Sequence, residues 1–271
     1  MYEWDAKDYH KSSSEQQKWA RELIAKLNLK GSEKVLDIGC GDGKITAELA
    51  GRLPEGSVLG IDNSAEMIDF AWKTYPPENY PNLAFRVADA RQLDFSGEFD
   101  VVVSFACLHW LIDHRPVLEG IKKSLKPAGR ILLQFGGKGN AGAILEAIEK
   151  VTASKKWYTY LTGMSFPWGF YGPDEYRNWL EHTGFEVKRV ELIPKDALHK
   201  GNEGLAGYIR TTAGLPYAQR LPEDMRQEFI NEVVERYAEV HPPDSEGFIH
   251  LLMMRLEVEA VKKPAHQSQT F

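Results

Sequence analysis

The chain has only two cysteines, Cys40 and Cys107, in 271 residues. That excludes a disulfide framework and a four-cysteine zinc site. No apolar run reaches the about 18 residues that a membrane span needs. The start, Met1-Tyr2-Glu3-Trp4-Asp5, lacks the basic segment followed by an apolar one that marks a secretory signal. A cytoplasmic location is therefore expected. Cationic excess is missing too: 33 Lys and Arg stand against 39 Asp and Glu, a formal net charge of −6. Nucleic-acid binding draws most of its non-specific affinity from a basic face that neutralises phosphates. The densest basic clusters here are pairs, Lys122-Lys123 and Lys155-Lys156, so no nucleic-acid partner is expected. Internal repeats and low-complexity tracts are also lacking. What is present is 43% hydrophobic residues. A compact chain of this length buries roughly three-quarters of its unfolded surface, enough to fold without disulfide or metal.

The first half alternates strand and helix patterns. Short apolar runs at 34–38, 57–61, 83–87, 99–105 and 130–135 read as buried parallel strands. Between them, Ile45, Leu49 and Leu53 recur at helical spacing, Ser64 can cap a second helix, and 117–125 forms a third that Pro127 and Gly129 close. Such alternation implies right-handed crossovers and an open α/β sheet with helices on both faces. The carboxyl ends of the strands then share one edge, where ligands bind. The second half is less regular: helices at 141–151, 173–183, 205–211 and 223–240, strands at 185–193 and 248–261, and an aromatic stretch from Trp157 to Tyr171. The segments 141–171 and 201–245 are expected to cap the strand edge, and the tail from 263 to 271 to be flexible.

The informative motif is Asp37-Ile38-Gly39-Cys40-Gly41-Asp42-Gly43, which follows the first strand and opens a helix. Glycines there allow a tight turn and close approach of a ligand. Asp62, closing the second strand, suits the two hydroxyls of a ribose. The spacing is Gly-x-Gly-x-Gly, where the dinucleotide turn has Gly-x-Gly-x-x-Gly, and Asp37 would repel a pyrophosphate. A ligand with an ammonium group and no phosphate fits better, and S-adenosylmethionine is one. Asp89, ending the third strand, can accept from an adenine amine while the Ala90 N–H donates to a ring nitrogen.

Through 35–43, Asp62, Asp89-Ala90 and Phe99-Asp100-Val101-Val102, the sequence resembles the class I S-adenosylmethionine-dependent methyltransferases. The resemblance implies a Rossmann-like sheet of seven mostly parallel strands with the last one antiparallel. It implies S-adenosyl-L-methionine as cofactor, held by Asp37, Gly39, Cys40, Gly41, Asp62, Asn63, Met67, Asp89, Ala90 and Phe105. It divides the chain into an N-terminal lid helix region at 1–30, a cofactor-binding core at 31–140, a partial cap with strand six at 141–200, a helical substrate cap at 201–245, and a final strand at 246–262. Tyr9, Ser13, Gln16, Trp19, Leu108-His109-Trp110 and 207–215 narrow the likeness to trans-aconitate methyltransferases and related carboxylic-acid O-methyltransferases.

Methyl transfer from a sulfonium asks the enzyme mainly for alignment and exclusion of water. A carboxylate acceptor is ionised at neutral pH and needs no base. Gln16 and Trp110 are therefore the candidates to orient it through neutral N–H groups. His109 is the candidate base should the acceptor instead be an amine, hydroxyl or carbon. A non-catalytic protein that only holds the cofactor is the other alternative. Arg210, ahead of Arg220 and Arg255, is the candidate for binding further negative charge on a polyacid. Trp19, Tyr160 and Trp168 are the aromatic candidates for the acceptor pocket. The acceptor class stays open between small polyacids and fatty or isoprenoid-like acids. No metal site is expected, and monomer and homodimer are both open.

Overall fold

A computed structural model describes residues 4–12 and 14–264, with side chains from 4–10 and 17–264. Seven strands, β1 (Lys34–Ile38), β2 (Ser57–Asp62), β3 (Leu83–Val87), β4 (Phe99–Phe105), β5 (Leu125–Gly136), β6 (Phe185–Lys200) and β7 (Phe248–Lys262), form one sheet. Their order is β3-β2-β1-β4-β5-β7-β6. Strands β1 to β5 pair in parallel, and β7 lies antiparallel between β5 and β6. The central strands are apolar on both faces: Val35 to Ile38 and Val101 to Phe105 are buried. Helices on both sides explain this.

On one face, α2 (Ser14–Ile24), α3 (Lys44–Ala50) and α4 (Ala65–Thr74) bury Leu23, Leu49 and Ile68 against Val35 and Val103. On the other, α5 (Arg115–Ser124) and α8 (Pro173–Thr183) bury Leu118, Tyr176 and Leu180 against Leu36 and Leu133. A third cluster stands beyond the strand ends. It joins α6 (Gly142–Thr152), α7 (Lys155–Leu161), α9 (Gly201–Tyr208) and α11 (Glu223–Ala238) to Trp19 and to Ile249, Leu251 and Met253 of β7. The short α1 (Ala6–Ser12) lies across the strand edge, and a π-turn at Ile209–Ala213 leads into α10 (Leu215–Ala218).

Two strands are longer than the sequence pattern suggests: β5, expected at 130–135, starts at Leu125 and ends at Gly136, and β6 departs further. Strand β6 was expected to stop at Ile193 but runs on to Lys200, with Pro194 through Lys200 paired to Met254 through Phe248. Pro194 and the polar Lys195-Asp196 break the apolar alternation, yet an edge strand tolerates a proline. The result is a two-stranded arm that leaves the sheet and carries the floor of the cap.

Candidate active site

The ends of β1 to β4 open into a cleft of about 380 Å³. Gly39 and Gly41 reach it from the turn after β1, Asp62 and Asn63 from the end of β2, and Met67 from α4. Asp89, Ala90 and Arg91 follow β3, and Phe105 ends β4. The turn is pinned by Gly39 and Cys40 N–H groups that both donate to the Ile61 carbonyl, at 2.7 and 3.0 Å. Gly39 and Gly41 have φ of 74° and 52°, which favours glycine. They differ in what a side chain would meet. At Gly39 a Cβ would sit 2.1 Å from Cys107 Sγ, whereas at Gly41 it would meet only the Tyr9 ring, at 3.8 Å. Packing therefore demands the first glycine, and an open approach to the cleft is preserved at the second.

Two carboxylates edge this space and a third lies in a pouch beside it. Asp62 accepts from the Gly41 N–H at 3.0 Å and the Ser64 N–H at 2.9 Å, which fixes it at the cleft. Burial nevertheless raises its pKa. Asp37 lines a small pouch under the turn, which shares Tyr9, Gly39, Gly41, Phe105 and Ala106 with the cleft. Thr46 Oγ1 donates to Asp37 at 2.8 Å. Burial and, to a smaller extent, the neighbouring Asp62 charge push the Asp37 carboxyl up to about 7 despite that bond. Asp89 is half-exposed, and the Arg91 guanidinium holds it below the usual carboxylate range.

A second, narrower cavity of about 70 Å³ adjoins the cleft. Trp4, Tyr9, Ala106 and Trp110 wall both spaces. Ala106 adopts φ 52°, a left-handed conformation that costs an alanine free energy. Its N–H donates to Gln134 O at 2.8 Å, which ties the strained wall to β5. Beyond the wall the cavity meets His109, Trp168 and Phe170 on one side and Trp19, Tyr208, His199 and Arg255 on the other. His109 is buried, and burial followed by the Arg255 charge drives its pKa well below the ordinary histidine value. Its Nδ1 faces the Gly136 N–H at 3.4 Å, so the ring is assigned with hydrogen on Nε2. Among the described residues, no Asp, Glu or Lys lines this cavity.

The expected cofactor residues converge: eight line the cleft, while Asp37 and Cys40 line the pouch. Burial raises the Cys40 thiol, so it is inert packing. Trp19, Trp168, His109 and Trp110 meet at the second cavity. The side chain of Gln16 lies outside the described residues, as does Ser13. Two of the expected substrate residues stand away from both spaces. Tyr160 is 42% exposed and lines neither space, because Trp157 and Leu161 take the buried face of α7 and turn Tyr160 outward. Arg210 likewise points away: Ile209, Thr211 and Ala213 are buried, and Arg210 grips Asp8 of α1 at 2.8 Å. Sequence reasoning missed Trp4 and His199 and ranked Arg255 low. The signal for Arg255 was there, since it stands in the period-two register of buried Ile249, Leu251 and Met253.

A methyltransferase-domain family model matches residues 35–129. The chain is also similar to an uncharacterized methyltransferase of Schizosaccharomyces pombe, 33% identical over 72% of this chain and 75% of that one. The chain belongs to the class I S-adenosylmethionine-dependent methyltransferases. A trans-aconitate 2-methyltransferase of Deinococcus radiodurans is 32% identical over 80% of this methyltransferase and 83% of its own length. Among solved structures, the YcgJ protein of Bacillus subtilis aligns over 91% of this chain and 98% of its own, with TM-score 0.61 at 17% identity. That likeness shows the shared fold. The donor set fits the family cofactor: Asp62 and Asp89 at the cleft and Asp37 under the glycine turn suit an ammonium and hydroxyls better than phosphates. No helix among the described residues is long and apolar enough to cross a membrane.

Proposed function

We propose that this methyltransferase forms the methyl ester of a small organic acid. When bound, S-adenosylmethionine supplies a methyl group on a sulfonium whose leaving group is neutral. In this reading Asp62 holds the ribose hydroxyls, Asp37 takes the ammonium from the pouch, and Asp89 with the Ala90 N–H reads the adenine edge. Phe105 and Ala106 back the reacting end, and the wall formed by Trp4, Tyr9, Ala106 and Trp110 is where the methyl crosses in line to the acceptor.

The observation that carries the acceptor class is a cavity whose wall beside the cleft offers neutral N–H donors and which holds, among the described residues, no group suited to remove a proton. His109 presents Nε2–H and stays neutral, and His199 is lowered to about 4 by burial. Tyr9 and Tyr208 are raised by burial, so their hydroxyls keep their protons. A carboxylate needs no proton removed. Trp110 and His109 orient one carboxylate oxygen through N–H groups that leave its nucleophilicity intact. Size favours a compact acid over a long fatty one, since the cavity beyond the wall is only about 70 Å³. The similarity to trans-aconitate 2-methyltransferases over most of the chain supports the same reading.

The test is a labelled methyl donor offered with a panel of small mono- and polycarboxylic acids, amines and phenols. Label in a product that mild base hydrolyses to acid and methanol is expected. Label confined to base-stable products would overturn the ester reading and return His109 to consideration as a base.

A further inference from the structure

The acceptor cavity contains a polar imbalance that the methyl-transfer step does not use. Four buried side-chain nitrogens and no buried side-chain oxygens lack a hydrogen-bond partner among the described residues, and three of the four line this cavity: Arg255 Nε, Arg255 Nη2 and His199 Nε2. Arg255 is 2% exposed. Burial lowers its pKa only to about 10, so it is a cation at neutral pH. Its ring neighbour is Trp19, 5.6 Å from the guanidinium carbon, an attraction that leaves the N–H groups unmet. The next carboxylate along the same strand face is Glu257, which is engaged elsewhere, by Gln134 at 3.0 Å and Arg189 at 2.7 Å. A buried cation without an anion is costly, and a ligand that brings the anion removes the cost.

Which atoms are left over identifies the ligand group. Arg91, Arg115 and Arg210 each grip both oxygens of a carboxylate side-on, and each does so through Nε and Nη2. Those are the two atoms that Arg255 leaves open. The fork spacing matches a carboxylate's two oxygens. Arg255 lines the acceptor cavity but not the cofactor cleft, whereas Trp110 and Ala106 line both. The guanidinium thus lies off the wall where the methyl crosses. A cation on the attacking oxygen would also lower its nucleophilicity, which argues for a different carboxylate at this position.

We propose that Arg255 is the specificity residue of the acceptor pocket, its Nε and Nη2 gripping a carboxylate of the acceptor other than the one that takes the methyl. This rests on the ester reading above and adds that the substrate carries at least two acid groups, one held by β7 and one presented to Trp110 and His109. It moves the charge-reading role from Arg210, which the lid occupies, to a residue buried at the root of the β6–β7 arm.

The experiment compares wild type, Arg255→Met and Arg255→Lys on four- to six-carbon dicarboxylates and on monocarboxylates of equal length. Each protein is first titrated with S-adenosylhomocysteine, and unchanged affinity shows the fold and cofactor cleft intact. Binding of the acids to the S-adenosylhomocysteine complex is then measured by calorimetry, alongside methyl-ester formation. Arg255→Met is expected to lose at least ~30-fold in dicarboxylate affinity and kcat/KM, as truncation of a buried charged pair does. Monocarboxylates should change less than ~3-fold, and Arg255→Lys should recover part of the loss. Equal losses for both acid classes, or none, would overturn the assignment. Arg255-dependent dicarboxylate binding without any ester would sink the ester reading while leaving Arg255 as the anion site. Ester formation with no Arg255 dependence would do the reverse.

Discussion

Single residues set the chemistry through burial more than through type. Asp37 and Asp62 are both aspartates at the same strand edge, yet two backbone N–H groups steady Asp62 while Asp37 has a hydroxyl and a neighbouring negative charge. With its folded pKa raised to about 7 from 3.8, Asp37 binds a proton in the folded chain that the unfolded chain has released. Its contribution to cofactor-free stability is therefore full below about pH 4 and is lost as pH rises through 7. Two outcomes follow at this position. S-adenosylmethionine affinity should tighten between pH 6 and 8 as Asp37 ionises to meet the ammonium, a dependence measurable by calorimetry and lost in Asp37→Asn. The same variant, without cofactor at pH 8, should be more stable by about 2–4 kcal/mol in denaturant titration, and should bind the cofactor poorly. Unchanged pH dependence in Asp37→Asn would remove the ammonium role.

Elements position these residues by which face they bury. Helix α7 turns Trp157 inward, where it meets Phe229 edge-on at 5.4 Å and donates Nε1–H to Glu232 at 2.6 Å. Trp157→Ala should cost about 3–5 kcal/mol in equilibrium unfolding. Cofactor affinity should change little, since this cluster stands apart from β1 to β4. Helix α1 is held differently, by polar ties: Asp8 to Arg210, His10 to Asp42 at 2.7 Å, and the His10 carbonyl to Lys44 Nζ at 2.8 Å. The Asp8–Arg210 pair is partly exposed, and such pairs contribute at most about 1 kcal/mol. Arg210→Leu should therefore shift cofactor affinity less than ~5-fold, read by calorimetry, and should change the binding of mono- and dicarboxylates by the same factor. A change in the preference between the two acids on this substitution would contradict the geometry that points Arg210 at Asp8.

At the scale of the whole molecule, the sheet supplies one rigid edge and the cap supplies the rest. Trp4 and Tyr9 come from the beginning of the chain, Trp110 from the middle and Arg255 from the last strand, and they meet only because β7 inserts between β5 and β6. Ligand and fold are consequently linked. A ligand that binds the folded chain alone stabilises it by about 2.7 kcal/mol at a hundredfold excess over Kd. S-adenosylhomocysteine at that excess should raise Tm by about 5 °C, a figure scaled from the entropy of unfolding in domains of similar size. Nicotinamide dinucleotides should leave Tm where it is, because the turn offers them a carboxylate where a pyrophosphate would lie. A shift with the dinucleotide alone would overturn the cofactor assignment.

The proposed cofactor half of this protein was legible in the amino-acid order because it is local. A buried strand and a glycine turn occupy consecutive positions and an aspartate follows each of the next two apolar runs, so spacing alone singled out Gly39, Gly41, Asp62 and Asp89, which line one cleft, and the parallel sheet followed from the strand-helix repeat. The acceptor half was decided by tertiary packing. Tyr160 and Arg210 carry suitable chemistry, but the helices that hold them bury other faces, which turns both side chains away. Arg255 stood in an apolar alternation that marked it as buried, yet nothing local says what a buried guanidinium confronts. Only the pairing of β7 with both neighbours, and the extension of β6 past Pro194, brings that cation to the far wall of a cavity whose near wall is Trp110. Alternation along a strand fixes which face a residue takes, whereas its partner across the cavity depends on chain segments more than a hundred residues away.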